Sequence, residues 1–549
     1  MIGHYLNSLP LVRLLRQGSR RFDLNMVGFV VFAGLTNAGL LAIINAAAEN
    51  ARNEAENGRL LSMFGVVIFL YIYAQRYILF TSITEVERLL SGIRVRIADR
   101  LRRADLVALE HVGRSDIYGI VSRETQNISQ AAGTLIVAMQ SSMMVLFTVI
   151  YLAMLSRTAF IITVLMTWIG LALHFRKAVE LNAMLRDAQR MENAFLTALT
   201  HLLDGFKETR MSRARSESLF QHIRTISSSV EAVKTRSSTS FASHFIFAQG
   251  MFYALLAAIV FLLPRFGLTY SDVILKLTAA VLFIIGPLGG IVSAIPVYSN
   301  ANVSASNIFA LEQRLDETSA PDQNGRPEAT PPAAFSQLTM RRVAFQYTDR
   351  GSGSFSLGPL DVQVSAGEIF FIVGGNGSGK STLLKLLTGL YHAHSGSIVL
   401  DDTLLTAETA AWYRSHFTVV FSDYHLFDRL YGFEHVAPER VNELLRLMQI
   451  EDKTTFEAGR FTNLDLSSGQ RKRLALVVAL LEDRPILVLD EWAADQDPPF
   501  RKFFYEQILT DLKRQGKTIV AVTHDDRYFG VADHVVKMEY GQFVSYEPL

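Results

Sequence analysis

Six runs of apolar residues, each near or above the length of a membrane-spanning helix, constrain this chain more than any other feature. They cover roughly residues 24–48, 60–84, 131–155, 158–175, 241–263 and 273–298. A hydrocarbon core of ~30 Å takes about 20 apolar residues as helix, the backbone polar groups having to be satisfied internally. The first half is therefore expected to be an α membrane domain of six transmembrane helices in a lipid bilayer. Only Ser156 and Arg157 separate the third run from the fourth, which predicts a tight helical hairpin. Composition agrees: 50% of residues are hydrophobic, 19% are charged and mean hydropathy is +0.22.

Short loops rich in lysine and arginine stay cytoplasmic, and this fixes an orientation. The segment after the second run carries Arg88, Arg94, Arg96, Arg100, Arg102, Arg103, Arg114 and Arg123. The segment after the fourth is basic as well, from Arg176 and Lys177 through Arg210, Arg213 and Arg215 to Lys234 and Arg236. The opposite loops are poor in basic residues, Arg52, Arg157 and Arg265 among them, so both termini are expected in the cytoplasm. Arg13, Arg16, Arg20 and Arg21 precede the first run, which is longer than a signal-peptide core and reads as a retained anchor. Leu89, Ile93, Ile97 and Leu101 repeat at helical spacing, favouring helical extensions below the membrane over solvated loops. Within the spans, Arg76 should snorkel or face a wet interior. Gly286, Pro287, Gly289, Gly290 and Pro296 should either kink the sixth helix or pack closely against a neighbour. A net charge of +1 argues against a nucleic-acid partner, and the absence of cysteine excludes disulfides and cysteine-ligated metals.

Residues 312–334 turn charged and proline-rich, with Pro321, Pro327, Pro331 and Pro332. They read as a linker between a membrane domain, 1–311, and an α/β domain, 335–549. In the latter a buried strand, 368–373, runs directly into Gly374, Gly375, Asn376, Gly377, Ser378, Gly379, Lys380, Ser381 and Thr382, and then into a leucine-rich helix. This is strand, phosphate loop, helix. Glycines let backbone N–H groups wrap ATP phosphates, Lys380 neutralises the β and γ phosphates, Ser381 can ligate Mg²⁺, and the helix adds its positive end. Asp490 ends the apolar strand 486–490, where a phosphate-bound metal would sit, and Glu491 beside it is placed to polarise a water as catalytic base.

Leu466, Ser467, Ser468, Gly469 and Gln470 precede the basic helical start Arg471, Lys472 and Arg473, upstream of Asp490. Taken alone, the pentapeptide is also a good helix N-cap. With that spacing it resembles the Leu-Ser-Gly-Gly-Gln signature of the ATP-binding-cassette family, Ser468 replacing the first glycine. The resemblance implies a P-loop ABC ATPase domain below a type I exporter-like (type IV) membrane domain. It implies that Ser467, Ser468, Gly469 and Gln470 close over ATP held by another subunit, hence a homodimer. By the same resemblance Tyr347 stacks on adenine, His524 is the switch histidine acting with Glu491, and Asp497 keeps the aspartate of the D-loop. Where the family has a coupling-loop glutamine this chain has Ser422, followed by Asp423; either could supply an oxygen to the metal, but the amide reach is lost. The runs 374–380 and 490–498, with His524, Asp525, Asp526, Tyr528 and Phe529, resemble bacterial cyclic-peptide and peptide-siderophore exporters, of the syringomycin, pyoverdine and microcin types. That implies ATP-driven peptide export across the bacterial inner membrane. A multidrug or lipid exporter of the same fold is the alternative, and an ATP-gated channel or regulatory ATPase is the alternative of another class.

Overall fold

The computed structural model describes residues 10–18, 24–49, 54–112, 114–266, 271–317, 335–347 and 355–548. Arg20, Arg21, Arg52 and linker residues 318–334 lie outside them. The chain divides into two compact units. The first comprises Met1–Arg102 and Val112–Glu317, and the second Arg103–His111 and Thr318–Leu549.

Among the described residues the first unit is built of helices joined by short turns. Five helices, Gly28–Glu49, Glu56–Arg103, Ile117–Leu155, Arg213–Arg265 and Val273–Glu317, are long and apolar enough to cross a membrane. The fourth expected span corresponds to a shorter apolar stretch, Arg157–Gly170, at the start of one continuous helix, Arg157–Asp204. The hairpin turn at Ser156 forms because its extended backbone (φ −158°, ψ 120°) breaks the helix, while its hydroxyl caps the next one through Ala159 N–H.

The basic segments are continuations of the membrane helices and not loops. Glu54–Arg103 is an unbroken helix of 50 residues. At 1.5 Å per residue that is about 75 Å, over twice the hydrocarbon thickness. Its stripe of Leu89, Ile93 and Ile97 is fully buried. Below the apolar zone the helices are held by polar contacts: the buried Glu124 carboxylate accepts from Ser304 Oγ (2.6 Å) and Asn307 Nδ2 (3.0 Å). Glu312 pairs with Arg96 (2.7 Å) and Arg100 (3.0 Å). Higher up, Leu61, Phe69, Phe80, Trp168 and Phe261 are exposed, a surface suited to lipid and unsuited to water. Arg76 is exposed, its guanidinium 5.5 Å from the Phe80 ring. The Pro287 and Pro296 helix remains continuous over Ser271–Glu317. At Gly290 close packing is the reason for glycine, since a Cβ would meet Ser141 Oγ at 3.1 Å.

The second unit is α/β. Its strands are β1 (Gln337–Gln346), β2 (Ser356–Ser365), β3 (Ile369–Gly374), β4 (Ser395–Leu400), β5 (Thr403–Leu404), β6 (Phe417–Val420), β7 (Phe456–Glu457), β8 (Arg460–Phe461), β9 (Ile486–Asp490), β10 (Thr518–Val522), β11 (His534–Glu539) and β12 (Gln542–Pro548). One sheet has the order β2-β1-β4-β5, and the main sheet β12-β11-β3-β10-β9-β6. In the main sheet all pairs are parallel except β11 with β12. β9 and β10 are buried at every position, which is why they read as continuous apolar runs without alternation. Because β3, β10, β9 and β6 are parallel neighbours, whatever follows each of them emerges at one edge of the sheet.

Candidate nucleotide site

That shared edge gathers the sequence-predicted residues. The phosphate loop follows β3, His524 follows β10, Asp490 and Glu491 close β9, and Ser422 follows β6. Glycine is required in the loop for stated reasons. Gly374 has φ +150° and a Cβ there would strike Met538 O at 2.2 Å; Gly379 has φ +102° and would strike the Phe355 ring at 2.9 Å. The helix Lys380–Leu387 then begins at Lys380, which is only 5% exposed. Its ammonium donates to Gly374 O and Gly375 O, both at 3.0 Å, and lies 3.6 Å from Glu491 Oε1. Asn376, Gly377, Gly379, Lys380, Ser381, Thr382 and Glu491 line a cavity of about 340 Å³ together with Phe355, an aromatic ring that sequence reasoning missed.

Three oxygen-bearing groups converge beneath the loop. Ser381 Oγ donates to Asp490 Oδ2 at 2.9 Å and Ser422 Oγ to the same oxygen at 3.1 Å. Asp490 is 2% exposed, and its Oδ1 has no hydrogen-bond partner. Ser378 Oγ, also in the loop, is likewise buried without a partner. Unmatched buried polar atoms are costly, so these two aim at a ligand rather than at the protein. Of the adjoining pair it is Ser422 whose hydroxyl meets Asp490; Asp423 is exposed. Among the described residues no group of three or more His, Cys, Asp or Glu side chains could hold a metal on its own.

Glu491 adopts a left-handed backbone (φ 48°, ψ 38°), a conformation that costs a non-glycine residue of order 1–3 kcal/mol and is retained where the surroundings enforce it. Its amide is held by Val522 O (3.1 Å), and His524 Nε2 sits 3.0 Å from Oε1. Burial pushes the Glu491 carboxyl up, but the His524 hydrogen bond and the charges of Lys380 and His524 together outweigh it and hold the group below its ordinary value. The carboxylate is ionised at neutral pH. The loop bearing His524 is fixed by its neighbours: Tyr505 OH bonds Thr523 (2.6 Å) and Asp525 (3.0 Å), and Arg501 pairs with Asp525 at 3.1 Å.

Ser467 caps the helix Ser468–Glu482 in a full capping box, accepting from Gln470 N while its own N–H donates to Gln470 Oε1 at 3.1 Å. Ser467 and Ser468 remain exposed. None of Ser467, Ser468, Gly469 and Gln470 lines the phosphate-loop cavity. Instead the signature segment is locked to the residues after Glu491. A Cβ on Gly469 would strike Asp495 O at 2.7 Å, and Gln496 Nε2 donates to Gly469 O at 3.1 Å. Lys472 donates to Glu491 O (2.7 Å) and pairs with Asp495 (2.8 Å), while Trp492 Nε1 donates to Lys472 O (2.7 Å). Arg473 pairs with Asp497, bonds Gln496 Oε1 at 2.8 Å and lies 3.5 Å from the Phe500 ring centre. Asp497 in turn caps the helix Pro498–Phe503.

Tyr347 does not line the cavity at the phosphate loop. Its hydroxyl lies 3.3 Å from Thr382 Oγ1 and donates to Tyr391 OH at 3.3 Å, and its ring lines an adjoining cavity of about 300 Å³.

A phosphate loop at the carboxyl edge of a parallel sheet, beside an Asp-Glu strand end, is the construction of a P-loop nucleotide-binding protein. Residues 357–494 match the family model for the ABC transporter. The chain is 33% identical over 536 residues to the ATP-binding protein SyrD of Pseudomonas syringae pv. syringae, covering 94% of this chain and 93% of that protein. It is 29% identical to the ATP-dependent lipid A-core flippase of Chromobacterium violaceum over 62% of this chain and 58% of the flippase. To the flippase of Burkholderia pseudomallei it is 26% identical over 83% of this chain and 78% of the flippase. The chain belongs to the ABC transporter family: it binds nucleotide, couples ATP hydrolysis to transport, and carries apolar helices of a membrane protein.

Proposed function

We propose that this chain is half of a homodimeric exporter that moves a cyclic or non-ribosomal peptide, a siderophore precursor or lipopeptide, out across the bacterial inner membrane. The observation that carries this reading is that similarity to SyrD runs through both halves, the membrane half included, whereas the lipid A-core flippases match less closely and over less of their length. Six spans, with domains 1–311 and 335–549 joined by 312–334 and both termini cytoplasmic, belong to the same reading; Arg157–Gly170 and its continuation supply the fourth span.

The residues divide the work as follows. Gly374, Gly375, Asn376, Gly377, Ser378, Gly379, Lys380, Ser381 and Thr382 hold the phosphates, and Tyr347 stacks on adenine. Ser381, Asp490 and Ser422 form an all-oxygen set that suits Mg²⁺, a hard cation that would neutralise phosphate charge; the unpartnered Asp490 Oδ1 supports that fit. Ser422 thus replaces the family's amide with a hydroxyl directly on Asp490. Phosphate oxygens would draw Lys380 away from Glu491, freeing that carboxylate to accept a proton from the attacking water while His524 orients it. Ser467, Ser468, Gly469, Gln470 and Asp497 are surfaces for the partner's ATP. Their separation from the phosphate-loop cavity supports a dimer, as do the exposed apolar residues Leu203, Phe206 and Met211 around the turn at Gly205.

A lipid-exporting role remains the competing reading, favoured by the flippase relatives. ATPase activity of the full-length protein in nanodiscs separates the two. Addition of a syringomycin-type cyclic lipopeptide should raise kcat about threefold or more, with lipid A-core and hydrophobic drugs near the basal rate. Stimulation by lipid A-core alone would transfer the assignment to lipid.

A further inference from the structure

The left-handed backbone of Glu491 has to be enforced, and two elements grip it from opposite sides. On its amide side the N–H donates to Val522 O, in β10, at 3.1 Å. On its carbonyl side the Lys472 ammonium donates at 2.7 Å, whereas the turn's own bond to that oxygen, from Ala494 N–H, is long at 3.4 Å. Lys472 stands in the second turn of the helix Ser468–Glu482, just beyond the signature segment. The contact is reciprocal, since Trp492 Nε1 donates to Lys472 O at 2.7 Å.

A lysine normally keeps its ammonium in water, yet this side chain is only 8% exposed. Burying a charge is costly unless it is both paired and hydrogen-bonded. Asp495 Oδ2, 2.8 Å away, supplies the opposite charge. That carboxylate is 44% exposed, so water can solvate it without the lysine. The two contacts of the ammonium therefore do different things: the ion pair offsets the cost of burying Lys472, and the bond to the carbonyl acts on Glu491. What it acts on is a carboxylate with close neighbours, His524 Nε2 at 3.0 Å and Lys380 Nζ at 3.6 Å from Oε1. Turning the peptide plane after Glu491 re-aims that side chain, and a misplacement of ~1 Å at a reacting group can cost up to ~10²-fold in rate.

We propose that Lys472 is a positioning residue for ATP hydrolysis, its ammonium fixing the Glu491 carbonyl and through it the aim of the Glu491 carboxylate into the phosphate-loop cavity. This rests on Glu491 being the catalytic base. The helix that presents the signature segment and the strand end that presents the base are then one rigid piece, joined by two hydrogen bonds of opposite direction between residue 472 and residues 491–492.

Basal ATPase activity of the full-length protein in nanodiscs tests this. Lys472→Met keeps the stem and removes every donor; kcat should fall about tenfold, with Kd for Mg·ATP within about twofold. On a Glu491→Gln background the same substitution should change the residual rate by less than about twofold, because a residue that acts only through the base has nothing left to position. Asp495→Asn, which weakens the ion pair and leaves the carbonyl bond, should keep kcat within about twofold. Lys472→Gln ends one bond short of that carbonyl and should lose at least about threefold, giving the same comparison where Lys472→Met does not fold. A kcat within about threefold in Lys472→Met, an equal loss on the Glu491→Gln background, or an equal loss in Asp495→Asn overturns the proposal. Normal hydrolysis in Glu491→Gln alone overturns the assignment of the base instead.

Discussion

Replacing Glu491 by glutamine should abolish turnover while leaving ATP bound: kcat falls by at least about 10²-fold, and Kd for Mg·ATP stays within a few-fold. The reason lies in the site's chemistry. Glu491 is the carboxylate at the mouth of the phosphate-loop cavity, held ionised by His524 and Lys380. An amide keeps its size and its contact to His524 but cannot take a proton. Binding should be untouched, since in the proposed function the loop, Lys380 and Ser381 hold the phosphates. Stopped turnover with retained nucleotide, read by phosphate release and by filter binding on one preparation, checks this. Hydrolysis at the normal rate in Glu491→Gln would remove Glu491 from the base's role.

Trp492→Ala should cost more stability than any other single truncation around the site, about 3–5 kcal/mol. Trp492 is 1% exposed, its ring centroid is 4.3 Å from that of Phe504, and its indole N–H is the donor to Lys472 O. Removing it opens a cavity and takes a second donor from that helical carbonyl, which adds up to about 1 kcal/mol. At about 2–4 °C per kcal/mol for a domain of this size, Tm should drop by roughly 10 °C or more. Trp492→Phe keeps most of the packing and should lose only about a third as much. The truncation should also depress ATPase activity beyond its effect on folding, because Lys472 anchors both Glu491 O and Asp495. Differential scanning fluorimetry paired with ATPase assays at a temperature where both variants are folded separates the two effects.

These two residues show what a linear reading can reach. Glu491 was legible because the chemistry is contiguous: an apolar strand delivers Asp490 and Glu491 to a sheet edge, and the phosphate loop and His524 end the neighbouring parallel strands. Strand ends carry local signals, and parallel pairing then brings them together. The role of Trp492 was not legible, since its partner is a backbone carbonyl 20 residues earlier and no residue pattern encodes that. Lys472 and Arg473 read only as a basic helix start, yet they bolt the signature helix to Asp495 and Asp497. Phe355 was missed for a similar reason, reaching the cavity from the start of β2 and not from the loop motif.

The helical half divides in the same way. Apolar length and the Leu89, Ile93, Ile97 stripe foretold long helices, and Glu54–Arg103 is one unbroken helix. That Arg103–His111, with most of the helix Leu106–Val112, belongs to the ATPase unit was not legible. A seven-residue helix inside a basic stretch carries too little periodicity to be recognised, and its partners Lys385 and Tyr391 lie some 280 positions further along.

Transport itself tests the central claim most directly. Inverted membrane vesicles carrying this chain should accumulate a labelled syringomycin-type cyclic lipopeptide against its gradient with Mg·ATP, and those carrying Glu491→Gln should not. Equal accumulation in both, or ATP-dependent movement of lipid A-core without movement of the peptide, would contradict the account.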